Sequence, residues 1–518
     1  MWLHAEIRSI PDIVRYHGRT KPAEPALVQG RGLMTFGELD RFTSRIARAL
    51  LGAGSNPRAA VGAIGKNSME FLQLLFGAMK AGRPFLPLNW RLTPAELAAV
   101  LDDAMPGIVF ADTEFAGTMA ATLSAARHRF ELVVFSPVES GQGLEAWIGN
   151  AAADDPGLPA NSRDTALLLY TSGTTGRPKG VEISHLGLDY MRLYESLEPA
   201  MAWLPGDVLL MAMPNFHLLG TGFAIQALYH GSRVSVLDVP DPQRILEQVQ
   251  RDRPSILVLA PAVIQMLLDH PALRSTDFSS VRLILYAGSP ISAALLERGV
   301  REMQCGFMQF YGTTETAGAI TILRPEQHDL ARPETLKSCG TPLPLVGIRI
   351  VDAAGKELPD GEIGEIAVRS PALFTGYLNQ PDATCCALRE GWYHTGDLGR
   401  RDREGLLYIV DRLKDMIITG GENVYSAEVE QALNRHPAVS ASAVVGVPDA
   451  RWGEKVVAVV VLRPGAKASA EELGRHSREL IASYKTPKEI RFADSLPLTP
   501  AGKILKRLVR EQLANAKS

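Results

Sequence analysis

An α/β protein built from helix-covered, mostly parallel sheets is predicted by three features of the sequence. Between residues 164 and 310, short apolar runs alternate with helical segments. "DVLLMAM", "RVSVLDV", "SILVLA" and "RLILYAG" read as strands, with "DPQRILEQVQRD", "PAVIQMLLDH" and "SAALLERGVREM" as the helices between them. Such alternation builds parallel sheets with helices packed on them. After about residue 340, "VGIRIVDAAGKELPDGEIGEIAVRS" changes to close-set strands and turn residues, which predicts a small antiparallel, barrel-like sheet. Beyond "DRLKDMIITGGENVYSAEVEQAL", the runs "AVVGV" and "KVVAVVVL" and a helix from about Ser469 to Ile481 predict a compact α+β unit. A chain of 518 residues also exceeds one ordinary core. The expected division is a large domain over residues 1–411 and a small C-terminal domain over 412–518.

Individual elements follow from periodicity and caps. In "TFGELDRFTSRIARALLGAG", Phe36, Leu39, Phe42, Ile46 and Leu50 share one helical stripe. Thr35 and Glu38 are spaced as a capping box, and Gly52 suits the stop. "MEFLQLLFGAMKAG" is apolar on most sides, so a buried helix is expected.

Composition sets limits. Hydrophobic content of 46% with 21% charged residues is that of a globular enzyme. A net charge of −3 leaves no basic excess for general nucleic-acid binding. The start, "MWLHAEIRSIPDIV", lacks the pattern of a signal peptide, and no run reaches the ~18 apolar residues of a membrane helix. The end, "ANAKS", is not a peroxisomal address of the SKL kind. Four cysteines, two of them adjacent (Cys385 and Cys386), fit free thiols better than disulfides or zinc. A cytoplasmic protein without an integral membrane segment is expected.

The stretch "YTSGTTGRPKGV" at 170–181 carries the first chemistry. Backbone N–H groups of a Gly-rich turn make an anion-binding concavity. Thr171, Ser172, Thr174 and Thr175 supply hydroxyls, Gly173 and Gly176 let the backbone approach, and Lys179 adds a point charge. It is not a Walker A loop, because Arg177 and Pro178 separate Gly176 from Lys179 and Gly180 follows. A phosphate-holding loop is expected, against the alternative of a flexible surface turn.

This stretch resembles the signature of the adenylate-forming superfamily of acyl-CoA synthetases, coumarate-CoA ligases, luciferases and peptide-synthetase adenylation domains. Five more stretches stand in that family's order: "PNFHLLG", "QFYGTTE", "GWYHTGD", "DRLKDMIITGGENV" and "TPAGKILK". The resemblance implies an AMP-forming reaction. A carboxylate attacks the α-phosphate of ATP, pyrophosphate leaves, and the acyl-adenylate passes to the thiol of coenzyme A. The loop would then hold the β- and γ-phosphates as a leaving group.

The resemblance also implies roles. Tyr311 would stack on adenine, within Gln309, Phe310 and Gly312, and Gly288 and Ser289 of "YAGSP" would form the other wall. Thr314 would meet the α-phosphate and Glu315 would hold Mg²⁺, a hard cation that takes oxygen ligands. Asp397 would accept from the ribose hydroxyls, and Arg412 would make a second ribose or phosphate contact. Lys503 would reach over the adenylation site, where charge develops in the transition state. Family members rotate the small, mobile domain between the two half-reactions, which puts the hinge at Lys414. Gly420, Gly421, Glu422 and Asn423 would then line the approach of coenzyme A. The chain departs from coumarate-CoA ligases in lacking lysines at Ile418 and Gly420, and Ser426 replaces a usual proline.

His217 would gate the mouth between acyl pocket and thiol channel, although a lone histidine among apolar residues is more often a satisfied core residue. Leu218, Leu219, Phe223, Ala319 and Ile320, with His217, would line the acyl pocket, and Gly220 and Gly222 would leave room for a chain. No acidic residue occurs in "PNFHLLGTGFAIQ", which disfavours an amino-acid substrate. No second cation stands in 213–226 or 286–291, although Arg282 and Arg233 lie just outside. An apolar monocarboxylate is expected, with a medium- or long-chain fatty acid placed ahead of an aryl acid. The alternatives are a coumarate- or benzoate-type CoA ligase, a fatty-acyl-AMP ligase loading a carrier protein, a luciferase-like oxygenase, and a non-catalytic nucleotide-binding protein. The expected partners are small molecules, with a homodimer among the expected assemblies.

Overall fold

The structure is a computed structural model that describes residues 4–53, 56, 58–135, 144–171, 178–289, 291–449, 451–498 and 504–515. Two compact units are distinguished, Met1–Gly347 with Arg369–Tyr393, and Ile348–Val368 with His394–Ser518.

The first unit holds two large sheets. A nine-stranded sheet runs in the order Thr341–Pro342, Gly318–Leu323, Gly306–Thr313, Leu283–Tyr286, Ile256–Leu259, Val208–Met211, Arg233–Val236, Pro25–Gln29, Gly32–Thr35. From Gly306–Thr313 to Pro25–Gln29 every pairing is parallel, and the outer pairings are antiparallel. Val208–Met211, Ile256–Leu259 and Leu283–Tyr286 are buried at every residue. They read as unbroken apolar runs because helices cover both faces of a parallel sheet. Pro242–Asp252, Pro261–Asp269 and Ala293–Met303 lie side by side in one of these layers, and Leu218–Tyr229 packs on the same strands from the other. Asp241 and Ser292 cap the first and third through the amides of Arg244 and Leu295. All seven elements expected here are present.

The second sheet of this unit has seven strands, ordered Gly376–Tyr377, Lys179–Ser184, Thr165–Thr171, Phe85–Leu88, Val61–Ile64, Ile108–Asp112, Glu131–Phe135. The helix Phe36–Gly52 starts at the expected capping box of Thr35 and Glu38, although it runs through Gly52 rather than stopping before it. Met69–Lys80 is buried at every residue. Its Lys80 has no exposed side-chain surface and is satisfied by Asp40, Asp155 and Ser44. No helix of the described residues is long and apolar enough to cross a membrane.

The second unit opens with the small sheet expected from the close-set strands. Gly364–Arg369 and Trp392–Arg401 are its centre, flanked by Gly347–Val351 and Leu407–Arg412. Its last part is an α+β layer around a long hairpin, Val439–Asp449 against Gly453–Leu462. Alternation sends Val444 and Val456 to one face, where they meet Leu433 and Leu473. Val445 and Val457 go to the other, where Val509 and Leu513 of the helix Lys506–Asn515 cover them. The expected helix spans Ala470–Leu480, with Ser469 and Glu472 as its capping box.

Candidate functional site

The expected phosphate loop lies at the carboxyl end of Thr165–Thr171, but the strand after it runs back. Thr171 pairs with Lys179 and Tyr170 with Gly180 in an antiparallel ladder. The segment is therefore closed as a hairpin rather than opening into a helix. Ser172, Gly173, Thr174, Thr175 and Gly176 lie outside the described residues. At its far end the Lys179 ammonium sits 4.5 Å from the ring centroid of Tyr377. Such a contact stabilises by about 0.5–2 kcal/mol. Tyr377 in turn donates its hydroxyl to Glu315 Oε1 at 2.9 Å. Burial first, and then the Glu315 charge, push the Tyr377 phenol well above the ordinary tyrosine range. It is a hydrogen-bond donor at every physiological pH.

Glu315 lies in the turn Thr314–Thr316, directly after the strand Gly306–Thr313. Its backbone carbonyl accepts from Phe374 N at 2.8 Å, which fixes the turn. The strand brings Gln309, Phe310, Tyr311 and Gly312 to the same sheet edge. Tyr311 is 8% exposed, so most of its ring is covered. Gln309 Oε1 is a buried acceptor without a partner. An orphaned group of this kind calls for an explanation, and a ligand amine supplies one. Parallel pairing of Tyr286 with Gln309 sets Gly288 and Ser289 beside this edge.

The helix Leu218–Tyr229 faces that edge. His217 occupies its N-cap position, with its ring against Phe216 at 4.6 Å. Phe223 stacks on Phe310 at 5.9 Å, and a Cβ on Gly288 would lie 3.2 Å from Leu219 Cδ1. Residues expected at the adenine wall and residues expected in the acyl pocket thus meet. A narrow pocket with about 10 Å³ of open space, room for one water, is lined by Phe223, Gln226, Leu285, Met308, Phe310 and Trp203. Arg282 also borders it, but Asp207 pairs with its guanidinium at 2.6 Å. Two expectations change. Gly220 does not make room for a chain, since a Cβ there would lie 2.4 Å from the Pro214 carbonyl oxygen; the glycine lets the helix sit on that turn. Ala319 and Ile320 are successive strand residues and point to opposite faces, and Ile320 is fully buried in sheet packing.

In the second unit, Asp397 and Arg412 face each other across an antiparallel pair, and Arg412 Nε lies 2.9 Å from Asp397 Oδ1. The turn Leu413–Asp415 follows at once. Although Lys414 shows much of its surface to solvent, partial burial first, with Arg412 and Arg510 adding repulsion, lowers its pKa against the pull of Asp415 and Asp397. Gly420 and Gly421 form a two-residue turn between Ile417–Thr419 and Glu422–Val424. Both have positive φ, +60° and +84°, as a tight hairpin turn of this twist demands. Glu422 and Asn423 are exposed beside them. Lys503 lies outside the described residues.

A family model described as AMP-binding enzyme matches residues 14–378, and one described as AMP-binding enzyme C-terminal domain matches 428–503. The chain belongs to the AMP-binding enzymes. It is 36% identical to a fatty acid–[acyl-carrier-protein] ligase, ScoC, of Streptomyces coeruleorubidus, over 98% of this chain and 97% of that one. Feruloyl-CoA synthase of Amycolatopsis is 38% identical over 95% of this chain and 97% of its own. Among solved structures, ATP-bound MatB from Rhodopseudomonas palustris matches with a TM-score of 0.89 and 32% identity, covering 98% of this chain and 100% of that one. This AMP-binding enzyme is an adenylate-forming acid–thiol ligase.

Three features of this AMP-binding enzyme escaped the sequence. Tyr377, in "GYLNQP", joins Lys179 to Glu315 although nearly two hundred residues separate it from the first. Gln226 carried a weak signal, one helical turn beyond Phe223. Ser426, read as an uninformative replacement of proline, is fully buried and donates to Asp411 Oδ2 at 2.7 Å. Its Oγ also accepts from Lys506 Nζ at 2.6 Å, and Lys506 pairs with Glu430 at 2.8 Å. Burial raises the Glu430 pKa, and Lys506 opposes that rise.

Proposed function

We propose that the enzyme activates an apolar monocarboxylic acid with ATP to an acyl-adenylate and pyrophosphate, then transfers the acyl group to coenzyme A. The observation that carries this reading is the convergence in the first unit. Lys179, which forms no ion pair among the described residues, and the Glu315 carboxylate flank one tyrosine. On the nine-stranded sheet, whose strand Gly306–Thr313 leads into Glu315, the adenine wall touches the apolar helix of His217, Leu218, Leu219 and Phe223. In this reading Lys179 and the loop residues before it hold the β- and γ-phosphates, Gln309 accepts from the adenine amine, and Tyr311 covers the ring. Thr314 donates to the α-phosphate, while Asp397 and Arg412 receive the ribose.

Glu315 fits a Mg²⁺ carried by ATP. Its Oε1 is taken by Tyr377, its Oε2 has no hydrogen bond among the described residues, and such ions take one or two carboxylates plus substrate phosphates. When bound, the ion offsets phosphate charge as pyrophosphate departs. Lys503 supplies a second positive charge in that step, and Lys414 is the pivot on which the smaller domain, residues 412–518, exchanges it for the Gly420–Asn423 turn.

Pairing of Arg282 with Asp207 leaves that cation neutralised, which supports an acid with a single carboxylate. A medium- or long-chain fatty acid comes first. The stacked Phe223–Phe310 walls and the feruloyl-CoA synthase relative favour an aryl acid as the second reading. The carrier-protein ligase relative raises a carrier's phosphopantetheine arm as a competing acceptor. A cytoplasmic location accompanies the reading. The test is AMP formation with ATP and Mg²⁺ across acetate to palmitate, benzoate and coumarate, with coenzyme A or a holo-carrier protein. Acid-dependent AMP and an acyl-CoA product are expected; no AMP with any acid would remove the proposal.

A further inference from the structure

We propose that Tyr377 is a positioning residue that keeps Lys179 and Glu315 apart and holds each one ready for MgATP; this rests on the function proposed above. The lysine and the glutamate are opposite charges assigned to the two ends of one ligand, phosphate and metal. In a cleft without that ligand, such charges attract strongly at low dielectric, and a direct ion pair would have to be broken before either ligand bound. No ion pair forms between them among the described residues. Tyr377 stands between, and each charge meets the part of the ring suited to it. The ammonium lies over the face, 4.5 Å from the centroid, where the quadrupole is negative. The carboxylate accepts from the hydroxyl at the edge, 2.9 Å away.

This placement is built into the scaffold. Gly376 and Tyr377 pair antiparallel with Glu182 and Val181, on the strand that Lys179 begins. Tyr377 N donates to Thr384 Oγ1 at 2.9 Å, and its ring packs on Phe374 at 4.9 Å. Tyr393 hydrogen-bonds the same hydroxyl from within the same unit. The strand and Thr384 hold the Tyr377 backbone, and Phe374 and Tyr393 hold its side chain, so it positions its two charged neighbours rather than following them. With one acceptor site of Oε1 engaged by the phenol, Glu315 keeps Oε2 open for a metal.

The test compares Tyr377→Phe and Tyr377→Leu with wild type in the full chain. Mn²⁺ is the metal probe, its binding followed by electron paramagnetic resonance with and without ATP, and metal-free ATP binding is measured by calorimetry. Tyr377→Phe keeps the ring under Lys179 and loses the hydroxyl, with its hydrogen bonds to Glu315 and Tyr393. It should weaken Mn²⁺ binding in the presence of ATP by about tenfold, with metal-free ATP affinity little changed. Tyr377→Leu also removes the spacer, so metal-free ATP binding should weaken as well, and added salt should restore part of it by loosening the new Lys179–Glu315 pair. Adding Tyr377→Phe to Glu315→Gln should cost little more metal affinity than Glu315→Gln alone, since the tyrosine acts on the metal only through that carboxylate. Variants that melt lower yet bind Mn²⁺ and ATP as wild type does would reduce Tyr377 to a structural residue and overturn the proposal. Wild type that binds neither probe would remove the parent function with it; wild-type binding with unaltered variants removes this role alone.

Discussion

The parallel heart of the nine-stranded sheet and the segment from Asp411 to the C-terminal helix solve burial in opposite ways. Val208–Met211, Ile256–Leu259 and Leu283–Tyr286 put aliphatic or aromatic groups at every position, and their chemistry-bearing neighbours stand only at the strand ends. The C-terminal segment instead places Asp411, Ser426, Glu430 and Lys506 in contact with one another inside the fold. Apolar packing is non-directional and fixes a platform. Directional bonds between charged groups define one geometry sharply, and they are lost together when a member leaves. The first suits a wall that must not move, and the second suits a region proposed to turn.

Changes in each region should separate these behaviours. Leu257→Ala, at a fully buried position of the platform, should cost about 4 kcal/mol in denaturant unfolding and leave the ratio of the two half-reactions unchanged. Lys503→Ala should slow pyrophosphate release by about a hundredfold, roughly 3 kcal/mol, yet spare thioester formation from supplied acyl-adenylate. Equal loss of both steps would break the contrast. Lys506→Ala leaves Glu430 without its cation and should cost about 2 kcal/mol, below the fully buried figure because both side chains keep some contact with water. Lys414→Pro should do the reverse of Lys503→Ala, slowing thiolation by about tenfold in stopped-flow transfer assays, because proline fixes φ where the chain has to turn. Smallest is Ser426→Pro. Residue 426 is the first of its helix, where proline fits the backbone, so only the hydroxyl is lost, at about 1 kcal/mol in a melting experiment.

Local rules made much of the fold legible. The Thr35–Glu38 and Ser469–Glu472 boxes, the wholly buried Met69–Lys80 helix and the parallel strands follow from spacing and periodicity. Several residues singled out by the ordered motifs also come near one another from distant segments: Lys179 and Glu315 through Tyr377, Phe223 with Phe310, and Gly288 with Leu219. Long-range pairing was not. Nothing in "YTSGTTGRPKGV" says that the strand after it runs antiparallel, because hairpin and crossover share the same local pattern. Tyr377 was hidden because its two partners lie 198 and 62 residues away in the sequence. Ser426 was misread because one hydroxyl has meaning only beside Asp411 and Lys506, which neither spacing nor composition brings near.

The hairpin that closes residues 172–177 carries one more implication. Nucleotide loops that open into a helix gain the partial positive charge of its first turn, a fixed attraction for anions. Here the chain continues into the strand Lys179–Ser184, so in the proposed function the Lys179 ammonium supplies the charge that a helix start would otherwise add. In that proposal, a fragment severed from its nucleotide should leave readily, which favours discharge of pyrophosphate over its retention.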